Sequence, residues 1–318
     1  MSEHSAPLRI VFLDRATIGV SVRAPTFPHD YKEYQATAVE EIVERLADAE
    51  IAIINKVQMR APTLEKLPKL KLIAVAATGT DCVDKAYCKA HGIAVVNIRN
   101  YAVNTVPEHT LALIFALRRG LVPYVLDVRG GKWQTIDQFC YFDHPIHDIS
   151  GSTLGLIGYG ALGKSVATRA EVLGMKVIAT DVYDFPGKVD LDTILKESDI
   201  ISLHCPLTEG TRNIIGAAEF KKMKKDAILI NTARGGLVDE VALVEALKSG
   251  EIAGAGFDVL TVEPPKQGNV LLDADLPNLL ITPHVAWASV EAMTGLANQL
   301  VDNIEAWVAG APRNLVLE

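Results

Sequence analysis

The chain has 318 residues, 49% of them apolar and 22% charged; this excludes a disordered or collagen-like polymer and suffices for roughly two domains at about 150 residues each. Lys plus Arg number 31 against 39 Asp plus Glu, a net charge of −8, so generic nucleic-acid binding, which needs a basic footprint, is not expected. Cys82, Cys88, Cys140 and Cys205 form no C-x-x-C pair and no His cluster has metal spacing, so no metal site is expected and the thiols read as reduced.

Short apolar runs alternate with amphipathic stretches almost from end to end. Leu8–Asp14 reads as a buried strand, Tyr34–Ala49 as a helix with Ala38, Ile42, Val43 and Leu46 on one face, and Ile51–Asn55 as a second strand. Thr63–Leu67 reads as one helical turn capped by Thr63. Leu70–Ala77 is a third strand, and its unbroken hydrophobicity suits a strand covered on both faces. Asp81–His91 reads as a helix stopped by Gly92, and Ile93–Ile98 as a further strand. This order implies an open parallel sheet with right-handed crossovers.

Val106–Arg119 is a longer apolar helix with Pro107 and Glu108 in its first turn. Gly130–Ser150 is irregular and aromatic, which marks a functional or interfacial segment. A second alternation follows, with strands at Thr153–Ile157, Lys176–Thr180, Ile200–His204, Ala227–Asn231, Gly254–Val259 and Leu279–Thr282. Its clearest helices are Ala161–Leu173 and Asp239–Lys248, and an amphipathic stretch, Ser289–Val308, comes last. No apolar run approaches the ~18 residues of a membrane span. The N-terminal residues lack the basic and apolar regions of a secretory signal. A soluble, cytoplasmic protein without a membrane partner is expected.

Gly158-Tyr-Gly160-Ala-Leu-Gly163 is a G-x-G-x-x-G run directly after a strand and opening a helix, and Asp181 ends the next strand. Such a context specifies a dinucleotide-binding turn. Gly158 permits the tight turn, Gly160 lets a pyrophosphate approach the backbone, and Gly163 lets the helix pack closely. The amides of Ala161 and Leu162 would face the phosphates. Asp181 would accept hydrogen bonds from a ribose and repel a 2′-phosphate, so NAD(H) is the expected cofactor.

Ligands of open α/β sheets sit beyond the carboxyl ends of the strands. Three polar residues follow successive strands there: Arg234, Glu263 and His284. A nicotinamide exchanges the hydride itself, which leaves the protein to hold the substrate, polarise a carbonyl and move one proton. Arg234 offers a planar fork for the carboxylate and carbonyl of a 2-oxo acid. His284 is a proton donor suited to neutral pH, or the base in the oxidative direction. Glu263 would orient the imidazole and favour its protonated form. In the first half, Ala77-Thr78-Gly79-Thr80-Asp81 follows a strand and is expected to open a helix whose amides take a substrate carboxylate. Asn55 and Lys56 follow another strand and would add polar contacts.

Five motifs carry a resemblance over nearly the full length: GLIGYGALG (155–163), LHCPLTEGT (203–211), INTARGGLVD (230–239), GFDVLTVEPP (256–265) and ITPHVAWAS (281–289). With these the chain resembles the D-isomer-specific 2-hydroxyacid dehydrogenases. The resemblance implies an α/β fold of two Rossmann-like or flavodoxin-like doubly wound parallel-sheet domains with an inter-domain cleft. Residues 1–100 would begin the substrate domain, 101–288 would be the NAD-binding Rossmann domain, and 289–318 would return to the substrate domain. It implies that Arg234, Glu263 and His284 are catalytic. Cofactor contacts map onto Ala161, Leu162, Asp181, Cys205, Pro206, Thr211, Thr232, Ala233 and Asp258 beside the glycines, with Arg234 and His284 also at the cofactor. Thr78 and Thr105 lie in segments that approach nicotinamide and substrate. Members are usually homodimers joined through the cofactor domains.

Within the family, Ile54–Val57, FCYFDHP (139–145), PHVAWAS (283–289) and the lack of an added regulatory domain look most like the branch that interconverts hydroxypyruvate and (R)-glycerate. Trp287 either lines the pocket or packs the start of the last helix, and residues 133–148 suggest an arm around a second subunit. Two rivals stand beside this reading. One is a reductase of glyoxylate, pyruvate, phosphoglycerate or a bulkier acid. The other is a non-enzymatic NAD-sensing protein of the corepressor type, which would bind NADH without turning over any 2-oxo acid.

Overall fold

The computed structural model describes residues 7–316. They fall into two compact units: one runs to Ala102 and resumes at Ala288, and the other spans Val103–Trp287.

The first unit is built on a five-stranded sheet of β1 (Leu8–Phe12), β2 (His29–Glu33), β3 (Ile51–Ile54), β4 (Leu72–Val75) and β5 (Ala94–Val96) in the order β2-β1-β3-β4-β5. Every pairing is parallel. β3 and β4 are buried at all positions, which is why they read as unbroken apolar runs. Helices α1 (Ile42–Leu46), α2 (Ala61–Leu64) and α3 (Lys85–Ala90) connect the strands. The C-terminal helix, Val290–Val308, belongs to this unit. Ser289 caps it by accepting from the Ala292 amide, and Leu296, Leu300 and Ile304 form its buried stripe.

Three local expectations are corrected here. The helix expected over 34–49 shrinks to α1 and a preceding 3-10 turn at Val39–Glu41. The chain before it runs beside β1 instead, with the Tyr34 amide on Phe12 O at 2.8 Å. The polar edge strand β2 carries no apolar run to announce it, and none of its residues is fully buried. The turn expected at 63–67 starts earlier, at Ala61, because Pro62 occupies the first turn where its missing N–H costs nothing. The segment 78–81 does not open a helix; α3 begins at Lys85, capped by the Asp84 carboxylate on the Tyr87 amide. Gly92, at φ +69°, ends that helix region as expected.

The second unit carries α4 (Thr105–Arg118), α5 (Leu121–Arg129), β6 (Thr153–Ile157), α6 (Ala161–Val172), β7 (Lys176–Thr180), α7 (Leu191–Glu197), β8 (Ile200–Leu203), α8 (Ala217–Phe220), β9 (Ile228–Asn231), α9 (Glu240–Ser249), β10 (Gly254–Phe257), α10 (Val270–Asp273) and β11 (Leu279–Ile281). Its six parallel strands lie in the order β11-β10-β9-β8-β6-β7. A lone parallel bridge, Ala179 to Lys188, extends the sheet beyond β7. The chain steps from β6 out to β7, then reverses to β8 on the other side, so the β6–β8 gap is the topological switch point where such sheets take ligands. Two apolar cores cover the faces. One gathers α4 with Leu154, Val166 and Ile230, and the other gathers Ile201, Phe220, Leu243 and Phe257. No helix among the described residues is long and apolar enough to cross a membrane.

Candidate active site

The register of the second sheet assembles the site. Thr180, Ile157, Leu203, Asn231, Phe257 and Ile281 stand side by side at the carboxyl ends of β7, β6, β8, β9, β10 and β11. Asp181, Gly158, Cys205, Thr232, Asp258 and Thr282 follow within two residues, and Arg234 and His284 within three. Parallel pairing alone therefore brings onto one edge residues that are far apart in the chain.

At the switch point, the three glycines of the turn are required for three different reasons. Gly158 has φ +102°, and a Cβ there would meet Cys205 N at 2.5 Å. A Cβ on Gly163 would meet Gly158 O at 2.2 Å, so α6 packs onto the turn only without a side chain. A Cβ on Gly160 would meet nothing within 4 Å, which leaves an open cradle at the α6 N-terminus. Among the described residues no side chain caps α6, which leaves the first-turn amides of Ala161 and Leu162 with their partial positive charge directed outward. Asp181 is positioned by the Tyr159 amide, which donates to Oδ2 at 2.6 Å. An anion cradle with an ordered carboxylate one strand away fits a dinucleotide.

His204 abuts this turn but supplies no charge. Its Nε2 meets Ser202 Oγ at 2.9 Å, and burial pushes its pKa down to about 4. Attraction for phosphate at neutral pH therefore comes from backbone amides rather than from this imidazole. Burial likewise pushes the Cys205 thiol up to about 11, which keeps it protonated at neutral pH. Thr211 braces the same loop, its hydroxyl donating to Pro206 O at 2.7 Å. Among the described residues, no group of three or more His, Cys, Asp or Glu is placed to hold a metal.

At the other end of the sheet, Glu263 and His284 meet. The His284 Nδ1–H donates to Glu263 Oε2 at 2.5 Å, while Glu263 Oε1 accepts from the Leu260 amide at 2.8 Å. Glu263 is thus fixed by its own loop, and it fixes the imidazole tautomer with the Nδ1–H engaged, so that Nε2 is the nitrogen not taken by this pair. His284 stands at φ +56°, a left-handed conformation uncommon for a residue with a Cβ. Its loop is held on both sides. The His284 amide donates to Asp258 O at 2.8 Å, the Val285 and Ala286 amides donate to the Asp258 carboxylate at 2.9 and 2.8 Å, and the Trp287 indole N–H donates to His284 O at 2.9 Å.

Arg234 follows β9, its backbone O accepting from Asn231 Nδ2 at 2.8 Å and its Nη1 donating to Ala233 O at 2.7 Å. The next residue, Gly235, lies so close to Leu260 that a Cβ would come within 2.0 Å of that residue's carbonyl carbon. This contact clamps the Arg234 loop to the loop that carries Glu263.

Several other expected contact residues also make hydrogen bonds within the protein. Asp258 is 1% exposed and its carboxylate holds the His284 loop. The Thr105 hydroxyl donates to Ala286 O at 3.1 Å, Thr232 Oγ1 pairs with Thr110 Oγ1 at 3.0 Å, and the Ala233 amide donates to Asn231 Oδ1 at 3.1 Å. In the first unit, the Asn55 and Lys56 amides both donate to the buried Asp14 carboxylate, and burial raises the pKa of that carboxyl against the pull of those amides. Asn55 is 3% exposed. Thr78 is exposed, and its hydroxyl donates to Ile98 O at 2.7 Å. The helix-end rationale for an anion site at Thr78 and Gly79 is lost with the later start of α3. The Trp287 bond to His284 O is a function that neither sequence alternative included. Sequence reasoning also passed over His109 and Thr282, whose only signal was a histidine set in the apolar face of α4.

The family model of the D-isomer specific 2-hydroxyacid dehydrogenase NAD binding domain matches residues 111–286. The chain is 68% identical over 309 residues to glycerate dehydrogenase of Methylorubrum extorquens, covering 97% of this chain and 98% of the relative. It is 38% identical to hydroxypyruvate reductase of Blautia hydrogenotrophica, over 90% of each chain. Among solved structures, D-lactate dehydrogenase from Aquifex aeolicus, complexed with NAD and lactic acid, superposes with a TM-score of 0.83 at 30% identity, covering 97% of this chain and 99% of the other. The protein belongs to the D-isomer-specific 2-hydroxyacid dehydrogenases, NAD-dependent oxidoreductases with a Rossmann-type cofactor domain.

Proposed function

We propose that this protein interconverts hydroxypyruvate and (R)-glycerate. The observation that carries the reading is the Glu263–His284 pair on a dinucleotide-binding sheet, in a chain 68% identical to a glycerate dehydrogenase. When bound, a nicotinamide would supply the hydride chemistry at the substrate's C2, which leaves proton transfer and substrate orientation to the chain's own residues. His284 Nε2 gives its proton to the ketone oxygen in the reductive direction and takes it back in the oxidative one. Glu263 keeps the ring oriented for that transfer. Arg234 holds the carboxylate and polarises the carbonyl. Gly158, Gly160, Gly163, Ala161 and Leu162 hold the pyrophosphate, Asp181 a ribose, and Cys205, Pro206, Thr211, Thr232 and Ala233 line the cofactor. Asp258 and Thr105 also belong to the cofactor lining, and both hold the His284 loop. In the first unit Asn55, Lys56, Thr78 and Gly79 are assigned to substrate binding. Steady-state kinetics with NADH tests the substrate: hydroxypyruvate is expected to give the highest kcat/KM among hydroxypyruvate, glyoxylate, pyruvate and longer 2-oxo acids. A higher value for any other acid removes the assignment.

We further propose a homodimer formed through the second unit. α5 has five aliphatic residues and buries none of its residues within the chain. The segment after it exposes Phe139 at 89% and Phe142 at 82%. That segment is not loose: Lys132 bridges Asp127 and Asp143 at 2.8 and 2.7 Å, and His144 Nε2 lies 2.9 Å from Asp127. A structured apolar face of this extent calls for a protein partner. Light scattering at micromolar concentration is expected to return twice the chain mass, and a monomer would contradict the proposal. Four free thiols support a reducing, cytosolic compartment, which cell fractionation checks.

A further inference from the structure

We propose that His109, on α4, is a positioning residue for His284. It acts through Thr282 and Asp258 on the backbone that presents the catalytic imidazole. The inference rests on His284 being the proton donor and says what keeps it in place.

His109 Nε2 lies 2.9 Å from Thr282 Oγ1, and Thr282 Oγ1 lies 2.5 Å from Asp258 Oδ1. A carboxylate only accepts, so the single hydroxyl proton of Thr282 goes to Asp258. Thr282 Oγ1 must then accept from His109, which makes Nε2 the protonated nitrogen. The chain of donors runs one way: His109 to Thr282 to Asp258. His109 Nε2 also lies 3.6 Å from Asp258 Oδ1. Asp258 is buried and collects three donors, Thr282 Oγ1 and the amides of Val285 and Ala286. Those donors lie within two residues of His284 on either side. The Asp258 backbone O takes the His284 amide as well.

His284 needs this support because its φ of +56° is disfavoured for a residue with a Cβ. The Glu263 contact fixes only the ring. The backbone is fixed by the Asp258 carboxylate, and the carboxylate is oriented by the Thr282 hydroxyl, whose own rotamer is set by the His109 N–H. Removing His109 leaves the Thr282 oxygen without its donor in a partly buried site. The loop then loses part of what holds its strained residue, while the phosphate turn at the other end of the sheet is untouched.

The experiment uses the full chain with four variants: His109→Leu, His109→Gln, Thr282→Val and the double variant His109→Leu/Thr282→Val. Gln places an N–H near the position of Nε2, and Leu places none. His109→Leu is expected to lower kcat for hydroxypyruvate about tenfold, with the NADH Kd from fluorescence titration within about twofold of wild type. In the ligand-free protein, amide hydrogen exchange at 284–286 is expected to speed up by a similar factor. His109→Gln is expected to recover most of both. The double variant should be no worse than the weaker single one, because both changes cut the same chain. The inference is overturned if His109→Leu leaves kcat and loop exchange unchanged, if Gln does no better than Leu, or if the two losses multiply. Loss of NADH binding alongside kcat would indicate general damage and also overturns it. A wild-type enzyme that fails to turn over hydroxypyruvate, or a His284→Gln variant with full activity, would instead remove the underlying reading.

Discussion

The His284→Gln variant is expected to lower kcat for hydroxypyruvate reduction by about a thousandfold, within the range that general acid–base catalysis contributes. NADH affinity should stay within about twofold. Gln keeps a polar group of similar reach but cannot deliver a proton, so binding survives and the chemical step does not. The reason lies in the pairing: Nδ1 is committed to Glu263 at 2.5 Å and Glu263 to the Leu260 amide at 2.8 Å. The ring thus offers one nitrogen, in one orientation, for proton transfer. Glu263→Gln should cost less, about tenfold to a hundredfold, because it leaves the donor present but less well oriented. Stopped-flow and steady-state rates with NADH titrations separate these effects. Turnover within tenfold of wild type for His284→Gln would take the proton away from this residue.

The second large effect separates two glycines of one motif. Gly163→Ala is expected to destabilise the second unit by about 3 kcal/mol, at the upper end for overpacking, because its Cβ would lie 2.2 Å from a backbone oxygen that has nowhere to go. Gly160→Ala should change stability by no more than about 1 kcal/mol, the scale of an N-cap change, since nothing lies within 4 Å of the new methyl. Its cost falls on the cofactor: the methyl fills the cradle at the α6 N-terminus, and NADH affinity should drop at least about tenfold, equivalent to about 1.4 kcal/mol of lost approach between phosphate and backbone amides. Urea unfolding and NADH titration on both variants test the distinction. The reverse pattern, a stable Gly163→Ala and a Gly160→Ala that binds NADH normally, would show that the turn is not a phosphate cradle.

What could be read from the sequence follows from what each segment does. The inner strands of the second unit, β6, β8, β9 and β10, are buried at nearly every position, so their hydrophobicity is continuous and their ends fall where it stops; β6 lies at Thr153–Ile157. Ligand chemistry concentrates at those ends, which makes the glycine turn, Arg234, Glu263 and His284 visible as polar residues after apolar runs. β2 is the opposite case: an edge strand of HDYKE has no core face to impose a pattern. The segment before α3 misled for a different reason, since Asp81 and Asp84 are both acceptable caps and only the Met59–Val83 bridge selects the later one. α5 was missed because its apolar residues are not buried within the chain, so the usual link between periodicity and a core is broken. His109, Thr282 and Asp258 were least legible. Their contact joins positions 109, 258 and 282 through two hydrogen bonds of defined direction, and only the register of β10 with β11 and the docking of α4 bring them together.

In the proposed reaction the imidazole held by Glu263 hands a proton to a ketone oxygen, and the adjacent carbon would exchange a hydride with nicotinamide. A crystal structure of the protein with NAD and a non-reacting 2-oxo acid analogue tests it most directly. The expected result puts His284 Nε2 within about 3 Å of the analogue's carbonyl oxygen and the ring's C4 about 3.5 Å from its carbonyl carbon, the separations of a reactive pair. An ordered complex in which Nε2 faces away from that oxygen, with another group at hydrogen-bond distance, would contradict the account.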